Sequence, residues 1–381
     1  MRILATFGEP ELGLRDRLLG IRWGFVAVVC LLAAVGLAML YSAAHGSTEP
    51  WMTRQAVRFV VALALMLGLA VCGLGRVLRA AYWLYGAALL ALIGVDVAGE
   101  IGMGAQRWID LGAFQLQPSE VMKIALVAAL ARYFHRLDHG ELRRPLRLVV
   151  PALMVLAPTA LVMMQPDLGT AVILVSLGAI MFFLAGVPLR HFLVVGAAAG
   201  AALPLAWNSL HDYQRARILT FLDPQTDPLG RGWHILQSKI AFGSGGLFGK
   251  GFLHGTQSHL DFLPERQTDF IFTMLAEELG LVGASLVLAL YVALLVYGYV
   301  IALGSRSHFG RLLALGLTAN LFLYVFINMA MVMGLIPVVG VPLPLVSYGG
   351  TAQMTVMAGF ALLLCVDIDR DRRLDSVGEA G

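Results

Sequence analysis

Apolar runs long enough for a membrane-crossing helix recur along the whole chain, separated by short polar or basic turns and by one long polar interval. A bilayer core is crossed by roughly 20 apolar helical residues. The pattern therefore predicts about ten spans, at 23–41, 56–74, 80–98, 119–134, 147–165, 170–187, 191–207, 271–303, 311–333 and 350–367. The interval between the seventh and eighth, 208–270, is far longer than the turns that usually join helices, which marks it as an expected working surface. An N-terminal segment, 1–22, and a tail, 368–381, flank spans 1–7 (23–207) and spans 8–10 (271–367). The expected fold is an all-α polytopic membrane protein.

Composition sharpens this picture. Hydrophobic residues make up 59% of the chain and charged ones 13%, against about 25% charge in soluble domains. The first apolar run is too long for a signal-peptide core and no small-residue cleavage site follows it, so a retained span is expected. Cys30, Cys72 and Cys365 lie far apart in or beside apolar runs, with no metal or disulfide spacing.

Charge placement orients the spans. Arg15, Arg17 and Arg22, Arg76 and Arg79, Arg132, Arg136, Arg143, Arg144 and Arg147, Arg190, Arg306 and Arg311, and Arg370, Arg372 and Arg373 all fall on one set of ends. The other short loops carry Arg54 and Arg107. The positive-inside rule then predicts cytoplasmic termini and an extracytoplasmic 208–270 loop. Every chemically unusual segment falls on that outer side: 104–112, 117–123, 165–170, the long loop and 336–350.

Each of these segments offers candidates beside a plainer reading. Glu120 and Lys123, at i,i+3 after Pro118-Ser119, share a helix face and read as a cavity-facing ion pair or as a structural one. Asp167 in Gln165-Pro166-Asp167-Leu168-Gly169-Thr170 can cap the next helix or orient a basic group. Trp108 is an interfacial aromatic or a platform beside Arg107, whose guanidinium suits a phosphate. Arg215, Arg217, Lys250 and Arg266 are basic loop residues placed to support an anionic substrate. The glycine run 243–251 fails the P-loop template, because Ser244 and Gly251 stand where that motif needs glycine and Ser/Thr. It reads instead as backbone that approaches a ligand or packs closely. His254 and His259 lack a zinc pattern. Asp269, where aqueous loop meets apolar span, is either a helix N-cap or a general base, with Glu277 and Glu278 further along. Ser347 belongs to a Pro-rich, re-entrant-like stretch, 336–350, expected to wall the same pocket.

Taken in order, GAQRWIDLG (104–112), QPSEVMK (117–123), QPDLGT (165–170), DPLGRGWHILQSKIAFGSGGLFGKG (227–251), GTQSHLDFLPERQTDFIFTMLAEELG (255–280) and PVVGVPLPLVSYGG (337–350) resemble the SEDS family (shape, elongation, division and sporulation), over roughly 23–366. The GTQS and QSKIA-x-GSGG wording is similar to the rod-shape, elongation branch rather than the septal one. The resemblance implies a peptidoglycan glycosyltransferase of the inner membrane, polymerising lipid II at its outer face. It further implies that Asp269 is an essential acid, that Glu120 and Lys123 form an intramembrane salt bridge, and that Arg107 and Trp108 belong to a functional motif.

That implication fits the residues, because outside the cytoplasm the sugar donor has to arrive already activated. Asp269 is then expected to take the proton of an acceptor hydroxyl, while arginines and Lys123, or a divalent cation (Mg or Mn), offset charge on the departing diphosphate. Expected partners are lipid II, the nascent glycan strand, membrane lipid and a class B penicillin-binding transpeptidase, with no nucleic acid. The alternatives are a flippase for lipid-linked precursor, a non-catalytic scaffold, or the septal polymerase of the same family.

Overall fold

The computed structural model describes residues 13–374 apart from 99, 103–104, 111, 113–114, 139, 210–214, 216–218, 222, 224–230, 261, 264 and 373. Its helices are α1 (Leu14–Leu19), α2 (Trp23–Ala43), α3 (Met52–Ala70), α4 (Leu74–Ala98), α5 (Pro118–His135), α6 (Pro145–Met164), α7 (Leu168–Leu184) and α8 (Leu189–Ser209). They continue with α9 (Arg231–Ser244), α10 (Thr256–His259), α11 (Ile271–Gly304), α12 (His308–Val332) and α13 (Gly350–Ile368). Each expected span coincides with a helix, from α2 to α8 and from α11 to α13.

Among the described residues, seven of these helices are long and apolar enough to cross a membrane: α2, α3, α4, α6, α11, α12 and α13. Helix α7 is apolar but shorter, as is the apolar stretch Leu189–Ala202 of α8. Helix α5 carries Glu120, Lys123 and Arg132 yet buries most of its surface, packed against α4, α6, α7, α12 and α13. Its polar pair is tolerable because the helix sits inside the bundle and not against lipid.

The protein is mostly helical, but not all-α. Strands β1 (Glu100–Gly102), β2 (Ala105–Asp110) and β3 (Gln115–Leu116) form a small antiparallel sheet in the order β1-β2-β3. Trp108 and Ile109 favour extended backbone, and Gly112, in the left-handed region (φ 79), turns the chain between β2 and β3. The connection then enters α5 through Pro118 in its first turn. The long loop is likewise not wholly irregular, since α9 and α10 lie within it.

Contacts between helix ends sort the bundle into two ends. At one end, Arg22 meets Asp367 at 2.5 Å, Arg17 meets Asp369 at 3.3 Å, and the amide of Leu74 donates to Asp369 at 2.6 Å. The Arg306 amide donates to the Arg370 carbonyl there, and Arg132 to the Arg79 carbonyl. The arginines used for orientation therefore gather together. The opposite end holds the sheet, the 165–170 turn, α10 and the stretch 335–349.

Helix α11 is broken at Gly280 (φ 66, ψ −163). Such a break leaves orphan carbonyls before it and orphan amides after it. The glycine run answers both sets. The amides of Lys250 and Gly251 donate to the carbonyls of Glu277 and Glu278, and the amides of Leu281 and Val282 donate to the carbonyls of Gly246 and Leu247. A Cβ on Gly245 would lie 2.0 Å from the Ala276 oxygen, and one on Gly249 2.0 Å from the Glu278 oxygen. Of the two readings of this run, close backbone packing is the one observed. The glycines let a loop repair a helix.

Candidate active site

Asp269 lies just before α11, against the stretch 335–349. Three braces hold it there. Ser347 Oγ donates to the Thr268 carbonyl at 2.6 Å while accepting from the Leu343 amide at 2.8 Å. The Tyr348 amide donates to the Gln267 carbonyl at 2.8 Å. Asn328 Nδ2 of α12 bridges the carbonyls of Asp269 (3.0 Å) and Val341 (2.7 Å). From the far side, Tyr291 donates to the Pro344 carbonyl at 2.5 Å. Non-helical backbone at this depth is thus tied down by protein on all sides.

The Asp269 side chain itself is left uncommitted. The N-cap of α11 is Phe270, with no side-chain cap bond, so the capping reading fails. Its carboxylate is half-buried, and Oδ2 lies 3.5 Å from where a Cβ on Gly340 would stand. Burial, and then the nearby carboxylates of Glu265 and Asp167, push its pKa from 3.8 up to about 6. Among the described residues no hydrogen bond or ion pair engages its oxygens.

Among the described residues, the neighbouring acids are engaged. Glu120 and Lys123 are 4% and 1% exposed and 2.6 Å apart. Tyr324 of α12 donates to the second oxygen of Glu120, and the Lys123 ammonium stands 4.3 Å from the centre of the Tyr324 ring. The i,i+3 pair expected from spacing is present, locked by an aromatic that spacing could not reveal. Asp167 caps α7 through the amide and hydroxyl of Thr170, at 3.1 and 2.9 Å. Gln117 approaches it at 3.5 Å. Glu277 collects Lys250 (2.8 Å), the hydroxyls of Thr256 and Ser258 (both 3.1 Å), and the amides of Gln257 (2.9 Å) and Ser258 (3.1 Å). Glu278 accepts from Ser42 at 2.6 Å and from the Leu253 amide at 3.2 Å.

The basic residues expected to meet substrate are largely tied to protein. Arg107 grips the carbonyls of Gln165 (3.0 Å) and Pro166 (2.6 Å), joining β2 to the α6–α7 turn. Lys250 is paired with Glu277. Arg266 donates to the Ser258 carbonyl and to His45. Ser347 is a brace, as above. Trp108 is half-buried on β2, with its backbone opposite Glu100. Arg215 is half-buried, and Arg217 lies outside the described residues.

Sequence reading passed over Tyr324, Asn328, Gln55 and Arg58. Gln55 donates to the Ser347 carbonyl at 3.1 Å. Arg58, half-buried, lies 5.1 Å from the centre of the Tyr348 ring and against the backbone of Gly350. A signal for Arg58 existed, since an arginine within a span is costly and therefore informative. Tyr324 and Asn328 carried none, being single polar residues in an apolar helix.

Among the described residues no three His, Cys, Asp or Glu side chains converge to hold a metal ion. Magnesium commonly binds through one or two carboxylates plus substrate phosphates, and Asp269 could contribute only one.

The family model covering FtsW, RodA and SpoVE, described as cell cycle protein, matches residues 22–372. This chain belongs to that family. The peptidoglycan glycosyltransferase MrdB of Escherichia coli (strain K12) is 45% identical over 353 residues, covering 92% of this chain and 94% of its own. Among solved structures, the rod shape determining protein RodA of Thermus thermophilus is 33% identical with a TM-score of 0.69, covering 92% of this chain and 97% of that one. A chain from a structure described as "Structural coordination of polymerization and crosslinking by a peptidoglycan synthase complex" is 35% identical with a TM-score of 0.80, covering 92% and 98%. The membership expected from the motifs is thus established, and its fold is RodA-like.

Proposed function

We propose that this chain is a peptidoglycan glycosyltransferase of the inner membrane that polymerises lipid II at the outer face during cell elongation, with Asp269 as the general base. The observation that carries the reading is the contrast among acids. Among the described residues between the sheet, α10 and the 335–349 stretch, Asp269 is the acid whose carboxylate draws no donor, and its pKa is pushed up to about 6, as suits a general base. The name of MrdB supports the activity, and its rod-shape relatives support the elongation role over the septal one.

In this mechanism the acceptor GlcNAc 4-hydroxyl gives its proton to Asp269. Its oxygen attacks the anomeric carbon of the donor MurNAc. The C1–O4 bond forms as the C1–O bond to the lipid diphosphate breaks, and one displacement converts the α-linked donor into a β-1,4 strand. No step runs through a metal, since a cation would enter with the diphosphate. Arg58, half-buried beside Tyr348 and Gly350, is the cation to consider for that diphosphate, whereas Lys123, Lys250 and Arg107 are held by the protein. Glu120 and Lys123 act as an internal strut.

The topology that goes with this reading has ten spans, cytoplasmic termini and the 208–270 loop outside. It is supported by the gathering of arginines at one end of the bundle. A class B penicillin-binding transpeptidase is the proposed partner, in line with the polymerisation and crosslinking named for the synthase complex. The flippase reading is disfavoured because Glu120 and Lys123, the pair a transporter would use, are buried and paired with each other.

Purified full-length chain supplied with lipid II alone tests the proposal. Glycan polymer is the expected product. Lipid II crossing vesicles without polymer would replace the reading by transport, and no product until a second protein is added would replace it by a scaffold.

A further inference from the structure

One cluster of titratable side chains beside the site has no role in the chemistry above. His45, just past α2, and His259, the last residue of α10, lie between Arg266 and Glu278. Arg266 Nη2 is 3.0 Å from His45 Nε2, His45 Nδ1 is 3.0 Å from His259 Nδ1, and His259 Nε2 is 3.0 Å from Glu278 Oε1. His45 is exposed and holds a left-handed backbone (φ 55), a conformation that a non-glycine residue keeps only where its surroundings impose it.

The partners dictate every proton in this line. Arginine only donates, so His45 Nε2 accepts and the ring carries its proton on Nδ1. That proton points at His259 Nδ1, which accepts. His259 therefore carries its proton on Nε2 and donates to Glu278. Both rings are neutral, and the chain Arg266→His45→His259→Glu278 is complete. A metal ion between the two Nδ1 atoms would leave the His45 proton on Nε2, against Arg266, so the guanidinium selects the hydrogen-bonded pair.

One added proton breaks the line wherever it lands. On His45 it sets an Nε2–H against Arg266. On His259 it sets an Nδ1–H against His45, whose own proton then has to move to Nε2, again facing Arg266. Among the described residues, the charged groups facing the pair are Glu278 from α11 and Arg266 from the loop. Ser42 of α2 shares the Glu278 oxygen, and the adjacent Lys250 and Glu277 neutralise each other.

We infer that His45 and His259 form a proton-sensitive latch that positions Asp269 by holding Arg266. Arg266 also donates to the Ser258 carbonyl and sits inside the turn closed by the amides of Thr268 and Phe270 on the Glu265 carbonyl. Asp269 ends that turn. With the latch closed, Arg266 ties the turn to α2 and α10. With one proton added it loses α2, and the carboxylate loses an anchor. The role of Asp269 rests on the function proposed above, whereas the latch itself does not.

Hydrogen exchange of the full-length chain in nanodiscs, corrected for intrinsic rates, tests the latch without any substrate. Peptides covering 255–268 are compared at pH of about 7.5 and about 5.5. Protection is expected to fall about tenfold at the lower pH, as one hydrogen bond to a charged group is lost. In His45→Gln, whose amide oxygen accepts from Arg266 without titrating, it is expected to stay level. Equal protection in the parent chain at both pH values, or the same fall in the variant, overturns the latch. The acidic limb of the polymerisation rate is expected to be steeper in the parent than in His45→Gln, by one proton. Equal slopes with a working latch overturn its role in positioning Asp269, and leave the latch as a structural contact.

Discussion

Asp269 and Glu277 stand at the two ends of the first half of α11, and the protein treats them in opposite ways. Glu277 is fully buried and draws five donors from the loop that wraps the helix break. Asp269 is half-buried and draws none among the described residues. A buried acid with all its lone pairs occupied has become part of the scaffold. One held in place through its backbone, with its carboxylate left bare, keeps its proton affinity available. The braces on Asp269 run through Thr268, Gln267 and its own carbonyl, so position is secured without occupying the carboxylate oxygens.

The largest expected effect tests the bare side of this comparison. Asp269→Asn should lower lipid II polymerisation by about 10²–10⁴-fold, the usual worth of a general base, while the variant folds and elutes like the parent. In the parent, the rate should fall as pH drops through about 6, because the protonated carboxyl no longer accepts a proton. Normal polymerisation by the Asn variant would remove Asp269 as the base.

The saturated side is tested next by Glu120 and Lys123. Glu120→Gln leaves the Lys123 ammonium buried without its counter-charge and should cost about 3–5 kcal/mol in unfolding measurements. The double variant Glu120→Gln/Lys123→Met should recover much of this. A double variant as unstable as the single one would mean that the pair does not act as a unit.

A smaller loss is expected at the repaired helix. Gly249→Ala drives a Cβ toward the Glu278 carbonyl and forces alanine into the left-handed region (φ 80). It should destabilise the protein by about 1–3 kcal/mol, read as a lower melting temperature. An unchanged melting temperature would show that the run does not pack on α11 as described.

The smallest effect has the opposite sign. Between pH 3.8 and about 6 the folded chain holds more protons on Asp269 than the unfolded one, so stability falls as pH rises across that window. The penalty is complete above it and absent below it. Asp269→Asn should therefore raise the melting temperature by roughly 2–4 °C at neutral pH and by less toward pH 4. A variant that melts lower than the parent at neutral pH would mean that the carboxylate stabilises the fold, and the contrast with Glu277 would collapse.

Much of the fold was legible in the chain. Helices α2 to α8 and α11 to α13 coincide with apolar runs because a helix that crosses a bilayer, or packs inside such a bundle, requires a sustained apolar run, and that run is written locally. The Glu120–Lys123 pair was legible for a similar reason, since i,i+3 spacing places both on one helix face. The β1–β3 sheet was missed because its strands are short and interrupted by glycine. Helix α9 was missed, although it carries Trp233, Leu236 and Ile240 at helical spacing, because it is embedded in a long polar interval that reads as one loop. Helix α10, at four residues, is too short to show a period. The intended roles of Arg107, Lys250 and Ser347 were not legible at all. Each is held by a residue or carbonyl distant in the chain, such as Gln165, Glu277 or Thr268.

By itself, the sequence determined where helices run, which ends collect arginine, which segments carry unusual chemistry, and through its ordered motifs the family. All of these are matters of local composition and spacing. Only the tertiary structure decided which charged groups are occupied. Lys250, Arg107, Glu277 and Asp269 look alike as polar residues near a membrane boundary, and partners from other elements separate them. Whether a carboxylate is a strut or a base depends on the donors around it, and those donors come together only when the chain has folded.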